Sequence, residues 1–306
     1  MKKVIVTGGA GFIGSNLVDK LIDSEIEVIV LDNLSTGKKE NINPKAEFIK
    51  CDISEVNPMF SNVDTIFHLA AKTAVQESIE NPKIYNETNL KGTINMLEMA
   101  RRCNIKRFIF SSSSSIYGDT EIPTKEINKK QPMSTYALTK LVGEEYCKLY
   151  SKLYDIDTVS LRYFNAYGNR MNNEGGYKLV LPIFKEQFLN KQPLTINNDG
   201  KQKRDFVNVL DICEANILCG KYENKFNGEA YNVGQGNNHT INDADRTMRT
   251  LESSINWDNW YRFDEDLGFY HWAKRNKFPF ATTHPLEPAH EEFSKQIHYL
   301  ASELLT

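Results

Sequence analysis

Tyr136 and Lys140 stand four residues apart in Tyr136-Ala137-Leu138-Thr139-Lys140, within a segment of helical periodicity. In a helix this spacing sets both side chains on one face. A phenol with an ordinary pKa of about 10 is a poor base at neutral pH. A neighbouring ammonium favours the phenolate, so the pair can act as acid or base near neutrality. A second source of chemistry is the run Ser111-Ser112-Ser113-Ser114-Ser115, which follows the apolar Phe108-Ile109-Phe110 directly. A hydroxyl at the end of a buried strand can share a proton with a tyrosine and a substrate hydroxyl. A third is Thr7-Gly8-Gly9-Ala10-Gly11-Phe12-Ile13-Gly14-Ser15, which follows Val4-Ile5-Val6. There a strand breaks into a glycine turn and a helix begins. Residues without side chains let the backbone approach a pyrophosphate, and the helix N-terminus offers it free N–H groups. A further apolar run, Val28-Ile29-Val30-Leu31, ends in Asp32. That is close to the spacing of about 20 residues at which an acid accepts hydrogen bonds from a ribose 2′-hydroxyl and repels a 2′-phosphate. NAD is therefore expected in preference to NADP.

The elements that must carry these residues alternate. Strands are expected at Glu47–Lys50, Thr65–Leu69, Arg107–Phe110 and Thr158–Arg162. Helices are expected over Pro82–Arg102, with Leu90, Ile94, Leu97 and Ala100 on one face, and over Ser134–Leu153. This rhythm predicts an α/β fold with a doubly wound parallel sheet of Rossmann type. Ligands in such sheets lie beyond the carboxyl ends of the strands, where Thr7, Asp32, Asp52, Leu69, Ser111 and Arg162 are expected. After Gly168 the pattern loosens into turn-rich pieces such as Asn172–Gly176 and Asn197–Gly200. The expected division is a dinucleotide-binding domain over 1–167 and a smaller C-terminal substrate lobe over 168–306, with some chain returning to the main sheet.

Composition narrows the function classes. A net charge of −3 over 306 residues gives no reason to expect a nucleic-acid or membrane surface. No run approaches the roughly 20 apolar residues that span a bilayer, and the few apolar residues after Lys2-Lys3 read as a strand rather than a leader. The five cysteines, Cys51, Cys103, Cys147, Cys213 and Cys219, are scattered. They are expected as reduced thiols of a cytoplasmic protein. Neither they nor the six histidines have metal-ligand spacing, so no metal site is expected.

Taken together, T-G-G-A-G-F-I-G-S, L-D-N-L-S-T-G, C-D-I, H-L-A-A-K, N-L-K-G-T, F-S-S-S-S-S-I-Y-G, Y-A-L-T-K, L-R-Y-F-N-A-Y-G and R-D-F-V-N-V-x-D recur in order from residue 4 to about residue 236. In this the chain resembles the extended short-chain dehydrogenase/reductases, and among them the nucleotide-sugar 4-epimerases. The resemblance implies that Gly8, Gly11, Phe12, Ile13 and Gly14 hold the pyrophosphate. Asp32, Asn33 and Ser35 would hold the adenosine ribose, and Asp52 and Ile53 the adenine. Leu69, Ala70, Ala71 and Asn89 would line the dinucleotide path, and Lys140 would bond the nicotinamide ribose. The catalytic serine would be the third of the run, Ser113, with Ser114 as the alternative. Asn165 would touch the nucleotide-sugar and Arg204 its diphosphate, to which a planar guanidinium is suited. The implied reaction begins when Tyr136 takes the proton of the sugar 4-hydroxyl as NAD takes the C4 hydride. The 4-keto sugar turns, and the hydride returns to the other face. NAD stays bound throughout, on a homodimer paired through helices that include Pro82–Arg102.

Dehydratases and decarboxylases of this fold resemble a version with an acid just after the strand serine or threonine. Here Ser114, Ser115 and Ile116 occupy that region, which favours epimerisation of UDP-glucose and UDP-galactose or their N-acetyl forms. The rivals are a dehydratase, decarboxylase or reductase on the same site, or an NAD-binding scaffold without activity. The tail departs from the pattern. It lacks the R-x-G-D segment expected after Tyr231-Asn232-Val233-Gly234. It carries instead Trp257, Trp260, Tyr261, Phe263, Phe269, Tyr270 and Trp272. These are expected to pack a divergent lobe or a subunit contact rather than to stack on a sugar or base. The last segment, with Phe293, Ile297, Leu300 and Leu304 on one stripe, is expected as an amphipathic helix.

Overall fold

The computed structural model describes residues 1–55, 60–171, 180–190, 192–196, 198–236 and 238–245. The aromatic stretch and the terminal amphipathic segment fall outside them.

The first half alternates as expected. Strands β1 (Lys3–Thr7), β2 (Glu27–Asp32), β3 (Glu47–Lys50), β4 (Thr65–His68), β5 (Arg107–Ser113) and β6 (Asp157–Tyr163) are separated by α1 (Phe12–Asp23), α2 (Val75–Glu80), α3 (Pro82–Tyr85), α4 (Gly92–Arg102) and α5 (Thr135–Leu153). Short strands β7 (Asn165–Tyr167), β8 (Lys203–Arg204) and β9 (Phe206–Asn208) follow, with α6 (Val180–Leu189), α7 (Val209–Lys221), β10 (Ala230–Val233) and β11 (His239–Thr240). Seven strands form one parallel sheet in the order β10-β6-β5-β4-β1-β2-β3.

Alternation along each strand builds a core on both faces. Val4, Val6, Val28 and Val30 join the cluster under α1 and α7, while Ile5, Ile29 and Leu31 join the one under α4 and α5. Strands buried on both sides read as nearly continuous apolar runs, which is how they stood out in the sequence. The first cluster also draws on Val207, Val209, Ile212, Ala215, Ile217 and Tyr231. One face of the dinucleotide-type sheet is thus completed by chain from beyond residue 167. A separate small core forms around Phe184 and Ile241, with Leu194 and Phe206 packed against it.

Two expectations are corrected. The strand expected to stop at Phe110 continues through Ser113, paired with β6 up to Tyr163. Ser111 therefore lies inside its strand rather than just beyond it, and Arg162, expected as the last residue of its strand, is followed in β6 by Tyr163. The serines are tolerated there because they find partners: Ser111 Oγ is 3.0 Å from the Tyr163 hydroxyl, and Ser112 Oγ donates to the Glu144 carboxylate. The expected Pro82–Arg102 helix is present, but Asn86–Lys91 is a π-helical segment between α3 and α4. The wider turn shifts the buried stripe. Leu97 and Ala100 are buried as expected, together with Tyr85, Asn89, Thr93 and Met96, whereas Leu90 and Ile94 are only half-buried.

Candidate active site

The chain leaves β3 and returns as β4 on the other side of β1, so a crevice opens between the carboxyl ends of β1 and β4. The glycine turn lies over it. Gly11 N–H donates to the Gly8 carbonyl at 3.0 Å, and Ser15 N–H to that of Gly11 at 3.0 Å. A Cβ on Gly14 would collide with the Gly8 carbonyl oxygen, so only glycine lets α1 start this close to the turn. No side chain caps α1 at Gly11, which leaves its first turn of N–H groups able to receive an anion.

Asp32 is buried at the end of β2. Its Oδ2 accepts from Ala10 N–H at 3.0 Å and its Oδ1 from Leu34 N–H at 2.8 Å. Each oxygen keeps acceptor capacity for a hydroxyl. Asn33 Nδ2 donates to Asp52 Oδ2 at 2.8 Å, and Ser35 N–H to Asn33 Oδ1 at 2.9 Å. Burial works against the Asp52 carboxylate, but hydrogen bonds from Ser54 and Asn33 outweigh it and hold its pKa below the usual value. Ile53 is buried, with its side chain against Gly92. Asp32, Asn33, Ser35, Asp52 and Ile53 are thus gathered on one side of the crevice. The glycine turn, the uncapped helix and this acid at the end of β2 fit a dinucleotide.

Leu69, Ala70 and Ala71 leave β4 on the other side. The N–H groups of Leu69 and Ala70 both donate to Thr7 Oγ1 at 3.1 Å. Thr7 Oγ1 then gives its hydrogen to His68 Nδ1 at 2.9 Å, so Nε2 carries the ring proton and donates to Thr93 Oγ1 at 3.0 Å. Thr93 donates onward to the Asn89 carbonyl at 2.6 Å. Burial, and then the charge of Lys140, push the His68 pKa down to about 3, so the ring is neutral. Asn89 was expected to line the dinucleotide path. Its amide bonds both the N–H and the carbonyl of Lys72, at 2.8 and 2.9 Å, and reaches Thr139 Oγ1 at 3.2 Å. It clamps the post-β4 segment to α5.

α5 begins at Ser134, whose Oγ accepts from Ala137 N–H at 3.1 Å. Tyr136 is half-buried in its first turn. Lys140 is 4% exposed, donates to the Ser111 carbonyl at 2.7 Å and lies 5.0 Å from the centre of the Phe110 ring. Burial brings its pKa down to about 8. The close approach of α5 to β5 depends on Gly143, where a Cβ would collide with the Phe110 ring. Ser113 ends β5, half-buried, and its Oγ accepts from Ser115 N–H at 3.2 Å. Ser114 starts the 3-10 turn Ser114–Tyr117. The structure thus sets Lys140 against the serine strand, with Tyr136 one turn earlier on the same helix face.

Asn165 pairs with Phe206 across the short β7–β9 pair, whereas Arg204 lies on β8, paired with His239 of β11. Asn165 Nδ2 donates to the Asp205 carbonyl at 2.8 Å, and Arg204 is exposed. Asp205 accepts from Gln235 and Gly236 N–H groups at 2.8 and 2.9 Å, and Asp211 accepts from Gln235 Nε2 at 2.9 Å. Two carboxylates therefore hold the turn that follows β10. Burial raises the Asp211 pKa to about 6. The fold disfavours its charged form, so the stability it contributes is full below the unfolded value and lost as pH rises through about 6. Asp211→Asn, with an amide oxygen still able to accept from Gln235, is expected to raise Tm above that pH and change little well below it. Calorimetric melts on both sides of it check this.

Sequence reasoning did not find Thr7, His68, Thr93 and Thr139 as a connected set, nor the buried Glu144. The signal for Glu144 was present, since it repeats the four-residue spacing of Tyr136 and Lys140. Among the described residues no group of acidic, histidine or cysteine side chains could hold a metal ion, and no helix is long and apolar enough to cross a membrane.

Residues 4–234 match the model of the NAD dependent epimerase/dehydratase family. A putative UDP-glucose 4-epimerase from Methanocaldococcus jannaschii is 44% identical over 248 residues, 78% of this chain and 79% of that one. UDP-glucuronic acid decarboxylase 1 of Arabidopsis thaliana is 39% identical over 250 residues, 78% of this chain but only 56% of that protein. Among solved structures, UDP-N-acetylglucosamine 4-epimerase from Methanobrevibacter ruminantium M1, in complex with UDP-N-acetylmuramic acid, aligns with a TM-score of 0.79 at 32% identity, covering 99% of both chains.

Proposed function

The chain belongs to the NAD dependent epimerase/dehydratase family, and from that premise we propose that it inverts C4 of a nucleotide sugar, with UDP-glucose and UDP-galactose or their N-acetyl forms as substrates. The observation that carries this reading is the α5 face: half-buried Tyr136, with Lys140 bonded to the strand that ends in Ser113 and no acid at 114–116. The names of the M. jannaschii and M. ruminantium proteins support it.

In this reading Tyr136 accepts the proton of the sugar 4-hydroxyl, and the buried charge of Lys140 favours its phenolate. Ser113, its hydroxyl hydrogen left for another acceptor by the bond from Ser115, aligns the 4-oxygen. NAD, held there, would supply the hydride acceptor and donor for C4, with no net oxidation. Gly8, Gly11, Phe12, Ile13 and Gly14 cradle its pyrophosphate, and Asp32, Asn33, Ser35, Asp52 and Ile53 its adenosine. Leu69, Ala70, Ala71 and Asn89 shape the path between, and Lys140 holds the nicotinamide ribose. Asn165 contacts the nucleotide-sugar and Arg204 its diphosphate. The division into a cofactor domain over 1–167 and a substrate lobe over 168–306, less the returning β10 and α7, belongs to the same proposal, as does a cytoplasmic location, for which the five free cysteines are suited.

The Arabidopsis relative supports a second reading, decarboxylation or dehydration. One experiment separates them. Purified protein without added cofactor is given UDP-glucose, UDP-galactose, their N-acetyl counterparts and UDP-glucuronate, and products are resolved by NMR. Appearance of the C4 epimer, with NAD released only on denaturation, supports epimerisation. A pentose or 6-deoxy-4-keto product refutes it.

We further propose a homodimer through α3, α4 and α5. Ile84 on α3 and Leu138 and Leu149 on α5 are exposed large apolar side chains on helices that pack together. Leu149→Glu is expected to shift the sedimentation coefficient to that of the monomer. An unshifted dimer would place the contact elsewhere.

A further inference from the structure

Glu144 is 6% exposed and sits on the α5 face that carries Tyr136 and Lys140, one turn beyond the lysine. Two groups converge on it through three donor atoms. Ser112 Oγ, from the middle of the serine run, donates to Oε1. Arg162 of β6 donates from Nε to Oε1 at 2.9 Å and from Nη2 to Oε2 at 2.7 Å, a bidentate pair buried on both sides. The arginine then donates from Nη1 to the Tyr117 hydroxyl at 2.8 Å, and its guanidinium lies 5.2 Å from the centre of that ring. Tyr117 closes the 3-10 turn that starts directly after Ser113. One carboxylate therefore ties α5 to β5, β6 and the turn beyond Ser113.

A buried ion pair has no necessary stabilising role, since a well-packed apolar replacement can do as well. Its geometry here has a second consequence. The serine run is held to α5 at consecutive positions, through the Ser111 carbonyl on Lys140 and the Ser112 hydroxyl on Glu144. Together these set how far Ser113 stands from Tyr136. We propose that Glu144 is a positioning residue: held by Arg162, it registers the serine strand against the Tyr136–Lys140 face and keeps an anion beside Lys140.

The groups facing Lys140 support the electrostatic half. From α5 these are Cys147, whose thiol burial keeps protonated, and Glu144. From β4 it is His68, neutral as shown above. From β5 it is the Ser111 carbonyl and the Phe110 ring. Arg162 of β6 is paired with Glu144 at 2.7 Å.

The kinetic arm of the test rests on the epimerase reading; the spectroscopic arm does not. Parent, Ser112→Ala and Glu144→Gln proteins are compared, each with its bound NAD measured after denaturation. The first arm is kcat and KM on the nucleotide sugar that the parent converts. The second is NMR titration of the Lys140 side chain in 13C-lysine-labelled protein, the signal assigned by its loss in Lys140→Arg. Ser112→Ala removes one hydrogen bond to a charged group and is expected to lower kcat about tenfold with KM and NAD content unchanged. Glu144→Gln is expected to move the Lys140 midpoint, and with it the alkaline limb of kcat, to lower pH. If Glu144→Gln does not fold, Ser112→Ala still decides the registration by kcat, and the Lys140 midpoint in Glu144→Gln/Arg162→Met is read against that in Arg162→Met, the difference isolating the charge of Glu144. A role in stability alone would lower Tm while leaving kcat within about twofold of the parent and the Lys140 midpoint where it was. That result overturns the proposal. If the parent converts no nucleotide sugar, the epimerase reading falls and the Lys140 titration still decides this one.

Discussion

Tyr136→Phe is expected to lower kcat by about a thousandfold or more while NAD stays bound, because general acid–base catalysis by one positioned group is commonly worth about 10²–10⁴. The substitution removes one hydroxyl from a half-buried ring at the start of α5, where Ser134 caps the helix. The packing of Lys140 on Ser111 and of Gly143 on Phe110 is carried by other atoms, so α5 should keep its place on β5. The checks are steady-state turnover, NAD released on denaturation, and Tm. Turnover near that of the parent would remove Tyr136 from the mechanism and leave Ser113 or Ser114 as the proton carrier.

The second large effect is on Lys140. Burial brings its pKa down to about 8, so it is charged below that pH and neutral above it. If its charge supports the Tyr136 phenolate, kcat should fall as pH rises through about 8. Folding stability should move the other way. A lysine whose folded pKa is depressed contributes stability that is complete above the unfolded value and is lost as pH falls through the folded one. Between the two, activity should fall while the lysine-linked part of stability rises, which separates loss of the charge from alkaline unfolding. Lys140→Met, a near-isostere without charge, should lower kcat about a hundredfold or more and abolish the limb. Paired pH profiles of kcat and Tm check both. A flat alkaline profile in the parent would show that Lys140 holds the strand through Ser111 and nothing more.

What the sequence by itself determined is what short-range geometry governs. A glycine turn between an apolar strand and a helix has few conformations, so the place of Gly8–Gly14 above β1 was legible. A four-residue spacing in a helix sets two side chains on one face wherever the helix packs, so Tyr136 and Lys140 were legible as a pair. Strands buried on both faces declare themselves by unbroken apolar runs, which is why the order of β1 to β6 along the chain was readable before their order in the sheet.

What only the tertiary structure decided depends on which strands lie side by side and at what register. Ser111–Ser113 read as residues beyond a strand, because serines rarely extend one unless each hydroxyl has a partner. Their partners, Tyr163 and Glu144, are brought by β6 and α5 from 52 and 32 residues away. His68 had no visible role, since its tautomer is set by Thr7, 61 residues earlier, and Thr93, 25 later. The phase of the Pro82–Arg102 helix was legible at Leu97 and Ala100, but the π-helical segment ahead of α4 widens the turn, so that Asn89 is buried and Leu90 only half-buried. Arg162 looked like a residue of the ligand edge, as a cation at a strand end would. Inside β6 it faces a buried carboxylate instead, and only the pairing of β6 with β5 put the two within reach. Local chemistry pointed to the proposed proton carriers; the long-range register of sheet and helix decided what holds those side chains in place.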